Sequence, residues 1–140
     1  MKKKILIING PNLNWLGKRE PDIYGYTSFD EFFKEIKEVY FDVDLHYYQS
    51  NIEGEIVDKL QKSDGKFTGI VLNAGAYTHT SVAVRDAVAA LKTEVVEVHI
   101  SNVMKREEFR HTSLLTGVCK GIIAGFGMES YVLAIDSFID

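Results

Sequence analysis

The chain has 140 residues, 46% of them hydrophobic and 26% charged, an ordinary balance for a soluble globular chain with one core. Its formal net charge of −4 argues against a general nucleic-acid or membrane-surface binder, while leaving room for a local basic site that takes an anion. The one cysteine, Cys119, has no internal partner, which fits a reducing, cytoplasmic setting, and no apolar stretch approaches the roughly 18 residues that span a bilayer.

Met1 to Lys4 are basic, but the apolar run that follows, Ile5 to Ile8, stops at Asn9 and is too short for a signal-peptide core. A first strand is expected over Lys4 to Asn9. A polar loop then runs from Gly10 to Tyr26, long for an architecture whose strand-to-helix loops are usually about 2–6 residues, and this marks it as a candidate lid. Thr27 or Ser28 caps the next helix. Ser28-Phe29-Asp30-Glu31 fits a capping box, and Phe29, Phe32, Phe33, Ile36 and Val39 or Tyr40 recur at helical spacing. A second strand is expected over Val43 to Gln49, and a helix over Ile52 to Lys62 with Ile56, Val57 and Leu60 inward. A third strand (Thr68 to Asn73), a helix (Ser81 to Leu91), a fourth strand (Val95 to Ile100), a polar segment (Asn102 to Thr112), a fifth strand (Val118 to Ala124) and a last helix (Met128 to Phe138) complete the chain.

No repeat, low-complexity tract or linker interrupts this order, so residues 1–140 read as one domain. Alternating strands and helices imply an α/β fold, a parallel sheet with right-handed crossovers. Five strands favour the flavodoxin-like three-layer sandwich with order 2-1-3-4-5, whose crevice lies between strands 1 and 3.

Three aliphatic strands end in polar clusters: Asn9 to Asn12, Asn73 to His79, and His99 to Asn102. Ligands in open α/β sheets bind outside such carboxyl ends. Asn12 and Asn73 each offer an amide donor and acceptor, although a strand-end asparagine also serves simply to shape a turn. Glu97 and His99 alternate on one strand and so share a face. A carboxylate beside imidazole can fix its tautomer and raise its pKa, the arrangement of a general acid; a buried pair that satisfies only itself is the alternative. Ile100-Ser101-Asn102 offers main-chain amides and a hydroxyl to a ligand carboxylate. In the long loop, Arg19 and Tyr24 can form a cation–phenol pair, and a neighbouring arginine lowers a tyrosine pKa by roughly 1–3 units; an exposed tyrosine and a solvated arginine are the plain alternative. Arg106 to His111 form a mixed charged stretch whose default is a solvated face, with Arg110 able to reach an anionic substrate.

Other chemistries lack their signatures. Gly125-Phe126-Gly127-Met128-Glu129-Ser130 lacks a third glycine and does not follow the first strand, so it is poor evidence for a dinucleotide site. His46, His79, His99 and His111 lack zinc spacing, and Ser101 sits in no nucleophile elbow.

Asn9-Gly10-Pro11-Asn12-Leu13-Asn14, Leu16-Gly17-Lys18-Arg19-Glu20-Pro21 with Tyr24-Gly25, and Gln49-Ser50-Asn51 with Glu53-Gly54 carry a resemblance. So do Gly75 to Ser81, Glu97 to Asn102 and Arg106 to His111. In these motifs, in this order over nearly its whole length, the chain resembles the type II 3-dehydroquinate dehydratases. The resemblance implies a flavodoxin-like fold and a cofactor-free trans-dehydration of 3-dehydroquinate to 3-dehydroshikimate through an enolate. That reaction belongs to the shikimate pathway of aromatic amino-acid biosynthesis or to quinate catabolism. It implies Tyr24 as base, Arg19 as the cation that lowers its pKa, Asn12 as holder of a water on the enolate, and His99 as acid oriented by Glu97. Asn73, His79, Ile100, Ser101 and Arg110 would hold the substrate, and Asp86 would reach in from a neighbouring subunit of a dodecamer made of four trimers. Neither nucleic acid nor membrane is implied as a partner. Trp15, Ala74, Lys92-Thr93-Glu94 and Ser130 depart from the usual pattern, and Ala74 is expected to loosen the turn that holds Asn73. The competing reading is a flavodoxin-like binding or signalling module. Against it, the end of the third strand carries Asn73 where a phospho-acceptor carboxylate would stand, and the first loop carries bulky Leu13, Trp15 and Leu16 where a flavin phosphate would need a cradle.

Overall fold

The structure, a computed structural model, describes residues 2–18, 20–25 and 27–139, the side chain of Tyr24 excepted. Its strands are β1 (Lys3–Asn9), β2 (Val43–Gln49), β3 (Gly69–Asn73), β4 (Val95–His99) and β5 (Gly121–Ala124). They form one sheet in the order β2-β1-β3-β4-β5, and every pairing is parallel. Its helices are α1 (Pro21–Tyr24), α2 (Phe29–Val39), α3 (Glu53–Ser63), α4 (Val82–Ala90) and α5 (Glu129–Ile139). This is the α/β order expected from the sequence.

The two-residue alternation of β1 divides its side chains between two cores. Ile5 and Ile7 join Phe29, Phe32 and Ile36 of α2 and Tyr131, Ile135 and Phe138 of α5. Leu6 and Ile8 join Ile56 and Leu60 of α3 and Val84 and Val88 of α4. Burial of one such aliphatic side chain is worth about 1.5–3 kcal/mol, so a strand without a solvated face must lie inside the sheet, where β1 and β3 are found. Ser28 caps α2 by accepting from the Glu31 amide at 3.2 Å, and Ser81 caps α4 by accepting from Val84 at 2.9 Å.

Two stretches differ from the expectation. The long first loop contains a 3₁₀ turn at Leu13–Trp15 and the single helical turn α1. Leu13 and Leu16 are each only 4% exposed, so a pair three residues apart anchors the loop, and Pro21 supplies the φ that starts α1. The fifth strand begins at Gly121 rather than Val118, because Thr116–Val118 form a 3₁₀ turn. Ser113 fixes that turn by accepting from the amides of Leu115 and Thr116.

Strand register sets up the functional end. Asn9 aligns with Gln49 on one side and Asn73 on the other. The Gly10 amide donates to the Asn73 carbonyl at 2.7 Å, and a Cβ at Gly10 would lie 2.4 Å from the Ala74 carbonyl oxygen, so only glycine permits this approach. Ala74 is fully buried and its carbonyl accepts from Tyr77 at 3.2 Å, which holds this turn without a proline. The Lys92-Thr93-Glu94 turn is held by Asp64, whose Oδ1 accepts from the amides of Lys92 and Thr93, both at 2.9 Å. Ser130 is buried and accepts from the Phe126 amide at 3.1 Å. Trp15 is 59% exposed, and nothing in the structure explains its indole.

Candidate active site

A cleft of about 210 Å³ opens at the carboxyl ends of β1, β3 and β4, bordered by Asn12, Asn73, His79, His99, Ser101, Arg106 and Arg110. It occupies the crevice that the strand order provides.

Asn12 has a left-handed backbone, φ 69°. Its amide donates to Asn51 Oδ1 at 3.0 Å, and the same oxygen accepts from Gln49 Nε2 at 3.1 Å. Gln49 also donates to the Gly10 carbonyl at 3.1 Å, and the Tyr77 hydroxyl donates to the Asn51 carbonyl at 2.8 Å. Residues just after β2 thereby tie the loops after β1 and β3 together. The Asn12 side chain makes no capping bond and borders the cleft.

Asn73 is buried and serves the turn as well as the cleft. Its Oδ1 accepts from the Gly75 amide at 3.2 Å, and its Nδ2 donates to the Tyr131 hydroxyl at 2.8 Å. Tyr131 in turn donates to Asn9 Oδ1 at 2.8 Å, and burial pushes its phenol well above the ordinary value despite the bond from Asn73. One N–H of Asn73 and one of its oxygen lone pairs are left over after these bonds.

His79 donates Nδ1–H to the Thr112 carbonyl at 2.8 Å, and its ring stacks on that of His99 with centroids 6.3 Å apart. His99 bonds through Nε2 to Glu97 Oε2 at 2.5 Å, and both are buried. Glu97 also accepts from Ser113 at 2.8 Å and from Thr116 at 2.5 Å. Burial pushes this carboxyl up, but the bonds from His99, Thr116 and Ser113 outweigh it and hold the group below the ordinary carboxylate range. Glu97 is therefore an anion, His99 Nε2 is the donor to it, and Nδ1 is the nitrogen left to exchange a proton with a bound molecule.

Two arginines border the same cleft. Arg106 donates to Ser101 Oγ at 3.4 Å, with its side chain only 11% exposed and Glu20 and Glu107 within 4 Å. Arg110 donates from Nε to Glu107 at 3.0 Å. Ile100 is buried beside them and its carbonyl accepts from Gly127 at 2.9 Å.

Asp86 is not brought to this cleft. It stands exposed on α4, paired with Arg85 at 2.9 Å. Arg19 lies outside the described residues, and of Tyr24 the structure describes only its backbone, in α1. Arg106, Tyr131, Ser113 and Thr116 escaped the sequence reading. Arg106 was submerged in a charged run, and only its spacing of four residues from Arg110 hinted at a shared wall. Tyr131 sits on an apolar helical stripe, and the available signal was that a buried tyrosine hydroxyl seeks a partner. Among the described residues, no group of three or more His, Cys, Asp or Glu side chains could hold a metal ion, and no helix is long and apolar enough to cross a membrane.

The sequence model of the family described as dehydroquinase class II matches residues 3–139. The chain belongs to the class II dehydroquinase family. The 3-dehydroquinate dehydratase of a Nitratiruptor species is 53% identical over 135 residues, covering 94% of this chain and 86% of that protein. The 3-dehydroquinate dehydratase of Chlorobaculum tepidum is 50% identical over 137 residues, covering 96% of this chain and 93% of its own. The crystal structure of type II dehydroquinase from Butyrivibrio crossotus DSM 2876 superposes with a TM-score of 0.96 at 48% identity, covering 99% of both chains. In this class II dehydroquinase the elements that carry the cleft thus lie within the shared fold, and the Glu97–His99 pair, Arg106 and Arg110 are all among its own described residues.

Proposed function

We propose that this class II dehydroquinase converts 3-dehydroquinate to 3-dehydroshikimate by trans elimination of water through an enolate, on the shikimate pathway. The observation that carries the reading is the buried Glu97–His99 pair, whose His99 borders a cleft that Arg106 and Arg110 also line. An elimination of this kind needs a base on one face, an acid on the other and donors at the developing oxyanion.

Tyr24 takes the proton from the carbon beside the ketone, with Arg19 favouring its phenolate. The electron pair of the broken C–H bond moves to the carbonyl oxygen, and a water held by Asn12 donates to that enolate. Collapse of the enolate forms the C=C bond and breaks the C–O bond, while His99 gives its Nδ1 proton to the departing hydroxyl. Asn73, His79, the Ile100 and Ser101 main chain and Arg110 hold the substrate's hydroxyls and carboxylate. Arg106, which already donates to Ser101, adds a second cation to the carboxylate end. Every step uses side chains and water, so the chemistry calls for neither a metal nor a Schiff base.

The same reading takes residues 1–140 as one domain working in the cytoplasm, in a dodecamer of four trimers. In that assembly Asp86 completes a neighbour's cleft, which is supported by its exposure on α4 away from its own. The test is to incubate the purified protein with 3-dehydroquinate and a chelator and to identify the product by proton NMR. A new vinylic signal from 3-dehydroshikimate, with loss of substrate, is the expected result; unchanged substrate over hours contradicts the reading.

A further inference from the structure

The hydrogen bonds around Glu97 leave little freedom. A hydroxyl has one proton and two lone pairs. The Ser113 oxygen accepts from the amides of Leu115 at 3.0 Å and Thr116 at 3.2 Å, so both lone pairs are taken. Its single proton must then go to Glu97 Oε2, 2.8 Å away. Thr116 Oγ1 donates to the other carboxylate oxygen. An anion that accepts from both hydroxyls requires a donor at the remaining contact, His99 Nε2. A neutral His99 is thereby locked with its proton on Nε2, and the proton it delivers is the second one, which only the imidazolium carries, on Nδ1.

We infer that Ser113 and Thr116 are positioning residues that act through Glu97 to fix the tautomer of His99, and so which ring nitrogen delivers a proton into the cleft. Neither residue borders that cleft. The titratable groups around Glu97 are His99 on its own strand and Cys119, whose thiol burial and the Glu97 charge push up to about 12. His79, Arg110 and His111 share the hollow beside it. None of these replaces the Thr116 bond, because the Glu97 oxygens take their hydrogen bonds from His99, Ser113 and Thr116 alone among the described residues.

The kinetic arm of the test rests on the dehydration reading above; the spectroscopic arm does not. Thr116→Val removes one donor and keeps the side-chain shape, whereas Thr116→Ser restores the donor. Thr116→Val is expected to lower kcat about tenfold, the weight of one hydrogen bond to a charged group, with KM within about twofold of the original. The acid limb of the kcat–pH profile moves to higher pH, because a bond that held Glu97 ionised is gone. In ¹⁵N NMR of the His99 ring, the unaltered protein shows a single Nε2–H tautomer at high pH, and Thr116→Val shows a share of Nδ1–H. Thr116→Ser returns all three readouts. If Thr116→Val does not fold, Thr116→Ala is read in the same way. An unchanged tautomer with unchanged kcat overturns the inference, as does an equal loss in Thr116→Ser or a change confined to KM. If the unaltered protein leaves 3-dehydroquinate intact, the proposed function fails, and the tautomer measurement alone decides the positioning role.

Discussion

His99 concentrates the chemistry at the scale of single residues. Its Nε2 is committed to a buried carboxylate, so loss of the ring removes a proton donor while leaving the arginines that would bind the substrate. His99→Ala is expected to lower kcat by roughly 10²–10⁴, the span of general acid catalysis, with a smaller change in KM; steady-state kinetics that moved KM alone would contradict the role. The sequence made this pair legible, because alternation on a strand places Glu97 and His99 on one face. It could not show that Asn73 has two duties. Its bond to Gly75 is local, but its bond to Tyr131 depends on α5, nearly sixty residues away in the chain, and local spacing carries no record of such a contact. Arg106 escaped for a similar reason: a charged run is ordinarily solvated, and only the fold turns this arginine inward.

At the scale of elements, the loops after β1, β2 and β3 form one interlocked unit. Gly10 lies so close to the Ala74 carbonyl that an added Cβ would meet it at 2.4 Å. Both partners are backbone, so Gly10→Ala must separate the two loops. A destabilisation of roughly 1–3 kcal/mol is expected, typical of forcing atoms into a packed site, together with weaker substrate binding as Asn12 and Asn73 move apart. Urea denaturation checks this, and an unchanged midpoint would show that the loops can part freely. The strands and longer helices were readable from periodicity. Helix α1 was not, because four residues give too little pattern. The start of β5 was misplaced because Val118 and Cys119 suit a strand by composition, while Ser113, five residues earlier, pins the segment into a turn.

For the whole molecule, strand order followed from the count and alternation of elements, whereas the interlocking of its loops required coordinates. The same Glu97 that serves His99 links folding to pH. Its folded pKa lies below that of an unfolded glutamate, about 4.3. Its ionised form therefore contributes stability that is fully present above that value and is lost as pH falls through the folded one. Asp64 and Glu107 shift in the same direction, so the Glu97 share is read by comparison. Glu97→Gln should have a lower Tm at pH 7 and lose less on acidification from pH 5 to pH 3 than the unaltered protein. Parallel losses would remove Glu97 from the linkage. The proposed assembly is tested at the same scale. Asp86→Ala is expected to raise KM while sedimentation velocity shows the oligomer intact; dissociation to monomers would make Asp86 an interface residue first.

Base-initiated dehydration at this cleft is tested by ultraviolet absorbance after adding 3-dehydroquinate. The unaltered, chelator-treated protein should produce a steady rise from the conjugated enone. Tyr24→Phe, which loses only the base oxygen, should bind the substrate and produce none. A rise of similar rate in both would remove Tyr24 as the base, and no rise in either, with the protein folded, would contradict the dehydration itself.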